Sequence, residues 1–569
     1  MGGGLLQLKR VGQQNEYLNG NPSITFFKNV YKKHTLFAME ARRIEFEGIQ
    51  SLTYDVPSIM RCKIDRNGDL LSNIYFSMNL PDIYSGYENV TDSSGNVTGN
   101  AYEFQWIPNI GSQIISKATL TIGGTKISEL YGQWIEIYHE LFLDTSQKNN
   151  FDRITGHEPE MFFPAYNGIN NGFYPTSSLD PLQNTNPDSV RFAFSEFAKN
   201  PFLQPPSIKG RKIYVPIPFW FTKSPGLALP LIALQYHEVH VEFECRPIID
   251  LYTILETRPN NENIEVGTRI APNATQDHHH IGNFITSIPN NSFNPDMSSL
   301  NDGNRNIQGW NFDCHVLANY IFLDEAERKK FALSSHDYLI EQVNRNAFTG
   351  VTGTKSLKLQ FSHPVKYLIW LGQRSDVADL FNGHNNYTNY DNEYIDPSSA
   401  TYIRRFGYDN ADPLYYQFEN GSIKEVNGIK QTLDMDTDNT RALIPTKFNF
   451  NSYDKDIIKN ARLLFDGVER YRTSSAQFHQ SLQAFQHGVN TDKFGIQMYS
   501  FALAPGEFNP NGTCNFSRIE TAELEIETIQ PPLKKPGQGY DYDFNIYVYS
   551  VNQNILRIQN GMGSTVFAN

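Results

Sequence analysis

Residues 213–244 read IYVPIPFWFTKSPGLALPLIALQYHEVHVEFE, and this stretch decides the fold because its design returns near the other end of the chain. Side chains alternate across an extended backbone, so Ile213, Val215, Ile217, Phe219 and Phe221 share one face of a predicted strand. A turn at Pro225-Gly226 follows. The last run sets Val239, Val241 and Phe243 on one face against Glu238, His240, Glu242 and Glu244 on the other, one buried and one wet. Residues 497–527, QMYSFALAPGEFNPNGTCNFSRIETAELEIE, repeat that order. An apolar run reaches Phe501, Pro505-Gly506 turns the chain, and Ala522, Leu524 and Ile526 alternate with Glu523, Glu525 and Glu527.

Two further pairs of segments keep the same order around it. Residues 118–141 (ATLTIGGTKISELYGQWIEIYHEL) and 461–485 (ARLLFDGVERYRTSSAQFHQSLQAF) each read as strand, glycine turn and amphipathic helix. Residues 319–331 (NYIFLDEAERKKF) parallel 546–558 (IYVYSVNQNILRI) as a closing strand. Three matched pairs in one order predict a duplicated β-domain.

A chain of 569 residues is too long for one core; at roughly 150 residues per domain, stretched for β-sandwiches, it holds two or three. Its 39 Phe and 31 Tyr favour strands, and its 39 Gly and 30 Pro favour turns, so the class is all-β with long loops. No apolar run reaches the roughly 18 residues a membrane span needs. The opening MGGGLLQLKR lacks the pattern of a secretory signal, and Leu6 stands where a myristoylation motif wants Ser or Thr. The chain therefore reads as made and kept in a cytoplasm. Cys62, Cys245, Cys314 and Cys514 lie far apart with no C-x-x-C, and Cys245 shares the face of Val241 and Phe243, which reads as a small buried hydrophobe. The net charge of −13 argues against a general nucleic-acid binder. Residues 1–43 nevertheless carry seven basic side chains against two acidic ones, +5 in all, leaving −18 elsewhere. The first 20 residues have too few periodic apolar positions to pack alone, and read as an arm that orders against a neighbour.

No catalytic, cofactor-binding or metal-binding residue is expected. Asp277-His278-His279-His280 has the composition of a metal site, but adjacent residues of extended chain point to opposite sides and no Cys or Glu lies at ligand spacing, so it reads as a solvated loop. Residues 350–356, GVTGTKS, lack the glycine before lysine that lets backbone amides wrap a phosphate. His237 and His240, beside Glu238 and Glu242, read as a solvated strand face. Tyr387, Tyr390 and Tyr394 motivate a glycan-binding protein as an alternative function, since sugars stack on exposed rings. Eight N-glycosylation sequons are present. Asn511 and Asn515 read as structural and Asn386 as part of a polar loop, and a cytoplasmic protein does not meet the transferases that read the motif.

GGGLLQL at 2–8, YLNGNPSITFFKNVYKKHTLFAME at 17–40, NYIFLDEAERKKFALSSHDYLIEQV at 319–343, HPVKYLIWLGQR at 363–374 and YSFALAPGEFNPNGTCNFSRIETAEL at 499–524 carry a family likeness. Together with the two stretches around Gly123 and Pro225, they make the chain resemble the major capsid proteins of nucleocytoplasmic large DNA viruses over nearly its whole length. One departure is Asn509-Pro510-Asn511, where that family usually has Gln-Pro-Ser. The resemblance implies two consecutive eight-stranded jelly rolls with long loops and a few short helices: an arm over residues 1–25, a first barrel over 26–332 and a second over 333–569. It further implies a non-enzymatic structural protein without cofactor, a homotrimer of pseudo-hexagonal outline, and an icosahedral virion shell assembled in the host cytoplasm. Partners implied are neighbouring capsomers, minor capsid and penton proteins and, through the arm, an inner membrane surface; direct nucleic-acid binding is not. A transient membrane-shaping scaffold of the same fold is the second alternative. The long insertions 82–103, 144–206, 256–308 and 375–439 are expected to form interlocking and outward-facing loops. The boundary between barrels follows a short helix at 324–331, whose acidic start and Lys329-Lys330 end suit the helix dipole.

Overall fold

A computed structural model of the chain describes residues 3–83, 104–162, 208–256, 268–276, 279–285, 310–389, 455–490, 493–531, 533–535, 538–540 and 542–567, with short strands at 415–417, 425–426, 429–430 and 443–445. Most of the long insertions therefore lie outside the described residues. The chain opens with two short helices, α1 (Gly3–Lys9) and α2 (Gln13–Asn19), neither of which buries a residue.

Sixteen of the described strands fall into two sets of eight. The first set is β1 (Phe37–Glu45), β2 (Ser58–Ile64), β3 (Leu70–Asn79), β4 (Ile115–Ile122), β5 (Thr125–Tyr131), β6 (Lys212–Pro216), β7 (Val239–Cys245) and β8 (His315–Leu323). The second is β9 (His336–Val351), β10 (Thr354–Leu359), β11 (Pro364–Arg374), β12 (Ile458–Phe465), β13 (Val468–Ser475), β14 (Gln497–Ser500), β15 (Ala522–Thr528) and β16 (Phe544–Gln559). The first set pairs antiparallel in the orders β1-β8-β3-β6 and β2-β7-β4-β5. The second pairs as β9-β16-β11-β14 and β10-β15-β12-β13, the same orders with eight added to every label. Two four-stranded sheets connected in this way make an eight-stranded jelly roll, and the chain contains two of them. Even the registers coincide. Ile122 faces Val239 and Ala118 faces Phe243 in the first barrel, while Phe465 faces Ala522 and Ala461 faces Ile526 in the second.

Local sequence explains these elements. Val239, Val241, Phe243 and Cys245 are buried along β7, and Ala522, Leu524, Ile526 and Thr528 along β15, as strict alternation requires. The β4–β5 and β12–β13 hairpins turn through Gly123-Gly124 and Asp466-Gly467, whose φ values of 57°, 81°, 49° and 78° are those of a type I′ turn, the two-residue turn whose twist matches the strands.

Three expectations need correction. The strand from Ile213 stops at Pro216, because Pro216 and Pro218 have no N–H for the ladder. Ile217, Phe219 and Phe221 are still buried, and so is Trp220, carried by a 3-10 turn over Trp220–Thr222. The glycine turns at 123–124 and 466–467 lead into second strands, β5 and β13, and only then into helix. In the first barrel that helix is α3 (Gly132–Phe142). It begins at a glycine because a Cβ there would stand 1.8 Å from the Ile115 carbonyl oxygen. Finally, β8 ends at Leu323 and gives way to α4 (Glu325–Leu333), whose first N–H donates to the Asp324 side chain at 2.7 Å, whereas β16 runs on to Gln559. The inward residues are Val316, Ala318 and Tyr320 in β8 against Phe544, Ile546 and Val548 in β16, so pairing Asn319 with Ile546 is one residue out and would flip the faces.

Cys62, Cys245 and Cys314 are buried and Cys514 is partly so; all four are free thiols. Phe243 lies at the centre of the first core, with ring centroids 5.3 Å from Phe76 and 5.9 Å from Phe46. Phe243→Asp would place an unpaired carboxylate there, at a cost of several kcal/mol. Glu242→Lys, on the wet face one residue away, should leave the melting temperature nearly unchanged. A thermal melt of the two variants checks this: the first should be unfolded or strongly destabilised, the second close to the parent.

Candidate assembly surfaces

The two barrels are joined along a seam in which apolar and polar contacts alternate. Tyr367, Ile369 and Leu371 point outward from β11, and Tyr549 and Val551 from β16, into the same apolar cluster as the first barrel's core. Helix α3 supplies the facing side chains: Trp134 packs 5.4 Å from Tyr549 and Phe142 5.6 Å from Tyr367, centroid to centroid. Around them the Tyr549 hydroxyl donates to Gln133 Oε1 at 2.5 Å, and Gln342 Nε2 to the Ile127 carbonyl at 2.7 Å. Asn382 Nδ2 donates to the Ile249 and Tyr252 carbonyls at 2.9 and 2.8 Å, and the Arg345 guanidinium sits 3.8 Å over the Tyr131 ring. Each of these links a residue of one barrel to a residue of the other.

Charges are buried in the seam as well. Glu136 on α3, 4 % exposed, pairs with Lys493 of the second barrel, 7 % exposed, and also accepts from Gln113 at 2.8 Å. Glu341 on β9 takes Lys223 from the first barrel on one oxygen and Lys366 on the other, the latter at 2.5 Å. Lys366 also donates to the Glu507 carbonyl at 2.6 Å. Burial pushes the Glu341 carboxyl up, but the two ammonium groups outweigh it and hold the group below its ordinary value. For Lys366 burial wins and lowers the pKa, because it shares a single carboxylate with Lys223.

The residues weighed as sites do not converge. Asp277 and His278 lie outside the described residues. His279 and His280 are not solvated: both are buried, the Tyr252 hydroxyl donates to the His279 carbonyl at 2.7 Å, and the His280 ring packs 4.1 Å from that of Tyr54, tilted by 37°. Neither sequence composition nor spacing signals that packing. His237 is half-buried, with Nδ1 3.1 Å from the carbonyl oxygen of Gly563, so it touches the second barrel instead of standing on a free edge. Tyr387 is buried beneath Lys493 and offers no sugar platform; Tyr390 and Tyr394 lie outside the described residues. Asn386 is also buried, its Oδ1 accepting from the Thr388 N–H at 3.0 Å, which removes it as a surface glycan acceptor. Among the described residues no group of three or more His, Cys, Asp or Glu could hold a metal ion.

What the chain presents outward is apolar surface. Leu8 and Tyr17 of the arm, and Phe26, Phe27, Val30 and Tyr31 just after it, are exposed, Phe27 to 98 %, and Lys28, Lys32 and Lys33 beside them are exposed too. Phe37 and Met39 continue the strip along β1. On the second barrel Val468, Phe485 and Leu503 are exposed. Uncovered apolar surface on this scale marks contact with another molecule.

Two jelly rolls fused in one chain, with a charged seam inside and apolar strips outside, define a double jelly-roll protein built to associate. The family model for the major capsid protein N-terminus matches residues 25–324, and that for the large eukaryotic DNA virus major capsid protein matches 327–564. The chain belongs to this family of large eukaryotic DNA virus major capsid proteins. It is 29 % identical to a major capsid protein of Phaeocystis pouchetii virus and 27 % identical to that of Paramecium bursaria Chlorella virus 1, in both cases over 100 % of each chain. Among solved structures, a chain of the quasi-atomic PBCV-1 virus capsid aligns with a TM-score of 0.56 at 23 % identity, covering 96 % of this chain and 100 % of that one. The Faustovirus major capsid protein aligns at 0.58 and 12 % identity, covering 98 % and 96 %.

Removing the shared carboxylate tests the seam. Glu341→Gln leaves two buried ammonium groups without a counter-charge and should cost roughly 3–5 kcal/mol near neutral pH. A carboxylate held low in the fold gives stability that is present above its ordinary value of 4.5 and lost as pH falls through the folded value, so the difference from the parent should shrink on acidification. Asp337→Asn, which breaks the exposed pair with Arg557, should have no measurable effect. Denaturant midpoints of the three proteins at neutral and acid pH decide it.

Proposed function

We propose that this chain is the repeating subunit of a large DNA virus's outer shell, and that it acts by self-association and not by catalysis. The observation that carries this reading is the uncovered apolar and basic strip, arm plus β1, on a double-barrel body of the major capsid protein family. In this reading residues 1–25 are the arm, 26–332 the first barrel and 333–569 the second. Three copies bring together six similar barrels, which tile with quasi-six-fold packing although only a closed trimer has to form. Such trimers, side by side, make an icosahedral virion shell, assembled in the host cytoplasm.

The arm is assigned to the inner side of the shell, where it and the residues that follow it to position 43, +5 together, meet minor capsid proteins or an anionic membrane. Each basic residue near such a membrane contributes on the order of 1 kcal/mol. A membrane-shaping scaffold that leaves before maturation would share the fold, and imaging separates the two, since only a shell subunit persists in mature particles. The glycan-binding alternative keeps no described aromatic ring in its favour.

A chain lacking residues 2–20 should still form trimers by light scattering yet fail to enter particles seen by cryo-electron microscopy. Normal particles built from that shortened chain would contradict the role given to the arm, and loss of the trimer would mean that it serves the trimer itself.

A further inference from the structure

The duplication allows the covered seam inside the chain to be compared with its uncovered copy outside. On the first barrel's side, the seam consists of β5 and α3. Ile127, Ser128 and Leu130 of β5 are buried, and Phe142 at the end of α3 lies against the second barrel's Pro505-Gly506 turn, so closely that a Cβ on Gly506 would stand 2.9 Å from the Phe142 ring. On the second barrel's side, the part of the seam that receives them includes β9, the outward row of β11 and that turn.

Each half recurs once, and among the described residues nothing covers it. β13, the counterpart of β5, buries no residue. After it comes a π-helical turn, Phe478–Leu482, and the helix α5 (Gln483–His487), the counterparts of α3. Phe485 stands as many residues beyond the Asp466-Gly467 turn as Phe142 stands beyond Gly123-Gly124, and it is 86 % exposed, with Leu482 beside it also exposed. The receiving half recurs on the first barrel. β1, the counterpart of β9, exposes Phe37 and Met39; Asn73 and Tyr75 in the outward row of β3 are only half-buried; and Pro225-Gly226, the counterpart of Pro505-Gly506, is exposed. One chain thus carries a free projecting half and a free receiving half of an interface that it has already closed once internally.

We propose that Phe485, with Leu482, seats on the Pro225-Gly226 turn and the outward row of β3 of a second copy of this chain, with β13 against that copy's β1, repeating between chains the contact Phe142 makes within one. This names the contact by which the trimer proposed above forms, and rests on that reading. Because the two halves differ, the contact is head-to-tail, and it ends only by closing into a ring.

The test uses the full-length chain with Cys514, the cysteine that is not buried, replaced by Ser. Phe485→Asp alters a side chain with no role in the monomer's core, and light scattering should show its mass fall from three times 65.0 kDa to one, with circular dichroism unchanged. Separately, chains carrying Phe485→Cys should be mixed with chains carrying Gly226→Cys, a position with only Ser224 Oγ near its Cβ, at 3.9 Å. Oxidation should then link the two kinds of chain to each other and not either kind to itself. A parent trimer with unchanged Phe485→Asp assembly and no such link overturns this contact while leaving the trimer intact. A parent chain that stays monomeric overturns both, and should Phe485→Asp misfold, the cross-link alone decides.

Discussion

The Glu341 carboxylate, shared between Lys223 of one barrel and Lys366 of the other, is the constraint on which the joining of the barrels depends. Charges this deeply buried are costly to desolvate, and the cost is met only while all partners stay in place. Together with Glu136 and Lys493 they make the seam intolerant of sliding: an apolar contact such as Trp134 on Tyr549 can shift by a fraction of an ångström at small cost, but a buried ion pair cannot. The hydrogen bonds from Gln342 to Ile127 and from Asn382 to Ile249 and Tyr252 add directional links that fix rotation as well as distance. Two barrels held in this way present their outer faces at one relative orientation, and repeated assembly into a lattice requires that.

The same duplication gives the shell its economy. A single jelly roll has one seam-forming half on each side, and a chain of two satisfies one contact internally and leaves one of each half outside. The polar residues that specify the inner seam are not copied onto the outer one. The position of Glu136 is taken by His479, and that of Tyr131 by Ser474, so the outer copy lacks the buried carboxylate of the inner seam. A contact made between chains must form after each subunit has folded, and burying apolar surface at that step avoids the cost of stripping water from charged groups.

Much of the fold was legible because period-2 alternation in β7 and β15 depends only on which face is buried. The Gly-Gly and Asp-Gly turns were legible for a similarly local reason. β5 was not, because its seven residues run directly into a helix whose own apolar pattern, Trp134, Ile135, Ile137, Leu141, extends backwards over them. The strand end at Pro216 was written in the two prolines, but alternation across Ile217 and Phe219 continued past it, since buried extended chain alternates whether or not it is paired. The seam was illegible altogether: nothing near Glu136 in sequence distinguishes a glutamate buried under a lysine 357 residues away from a solvated one. The arm was readable as unpacked, though not as the pair of helices that it forms.

Calorimetry of the intact chain tests most directly whether the seam makes one unit of the two barrels. Heating should give a single transition whose calorimetric and van't Hoff enthalpies agree for a unit containing both barrels. Two resolved transitions, each with the enthalpy expected of one barrel, would contradict the account, because they would show that the seam's buried charges do not couple the halves.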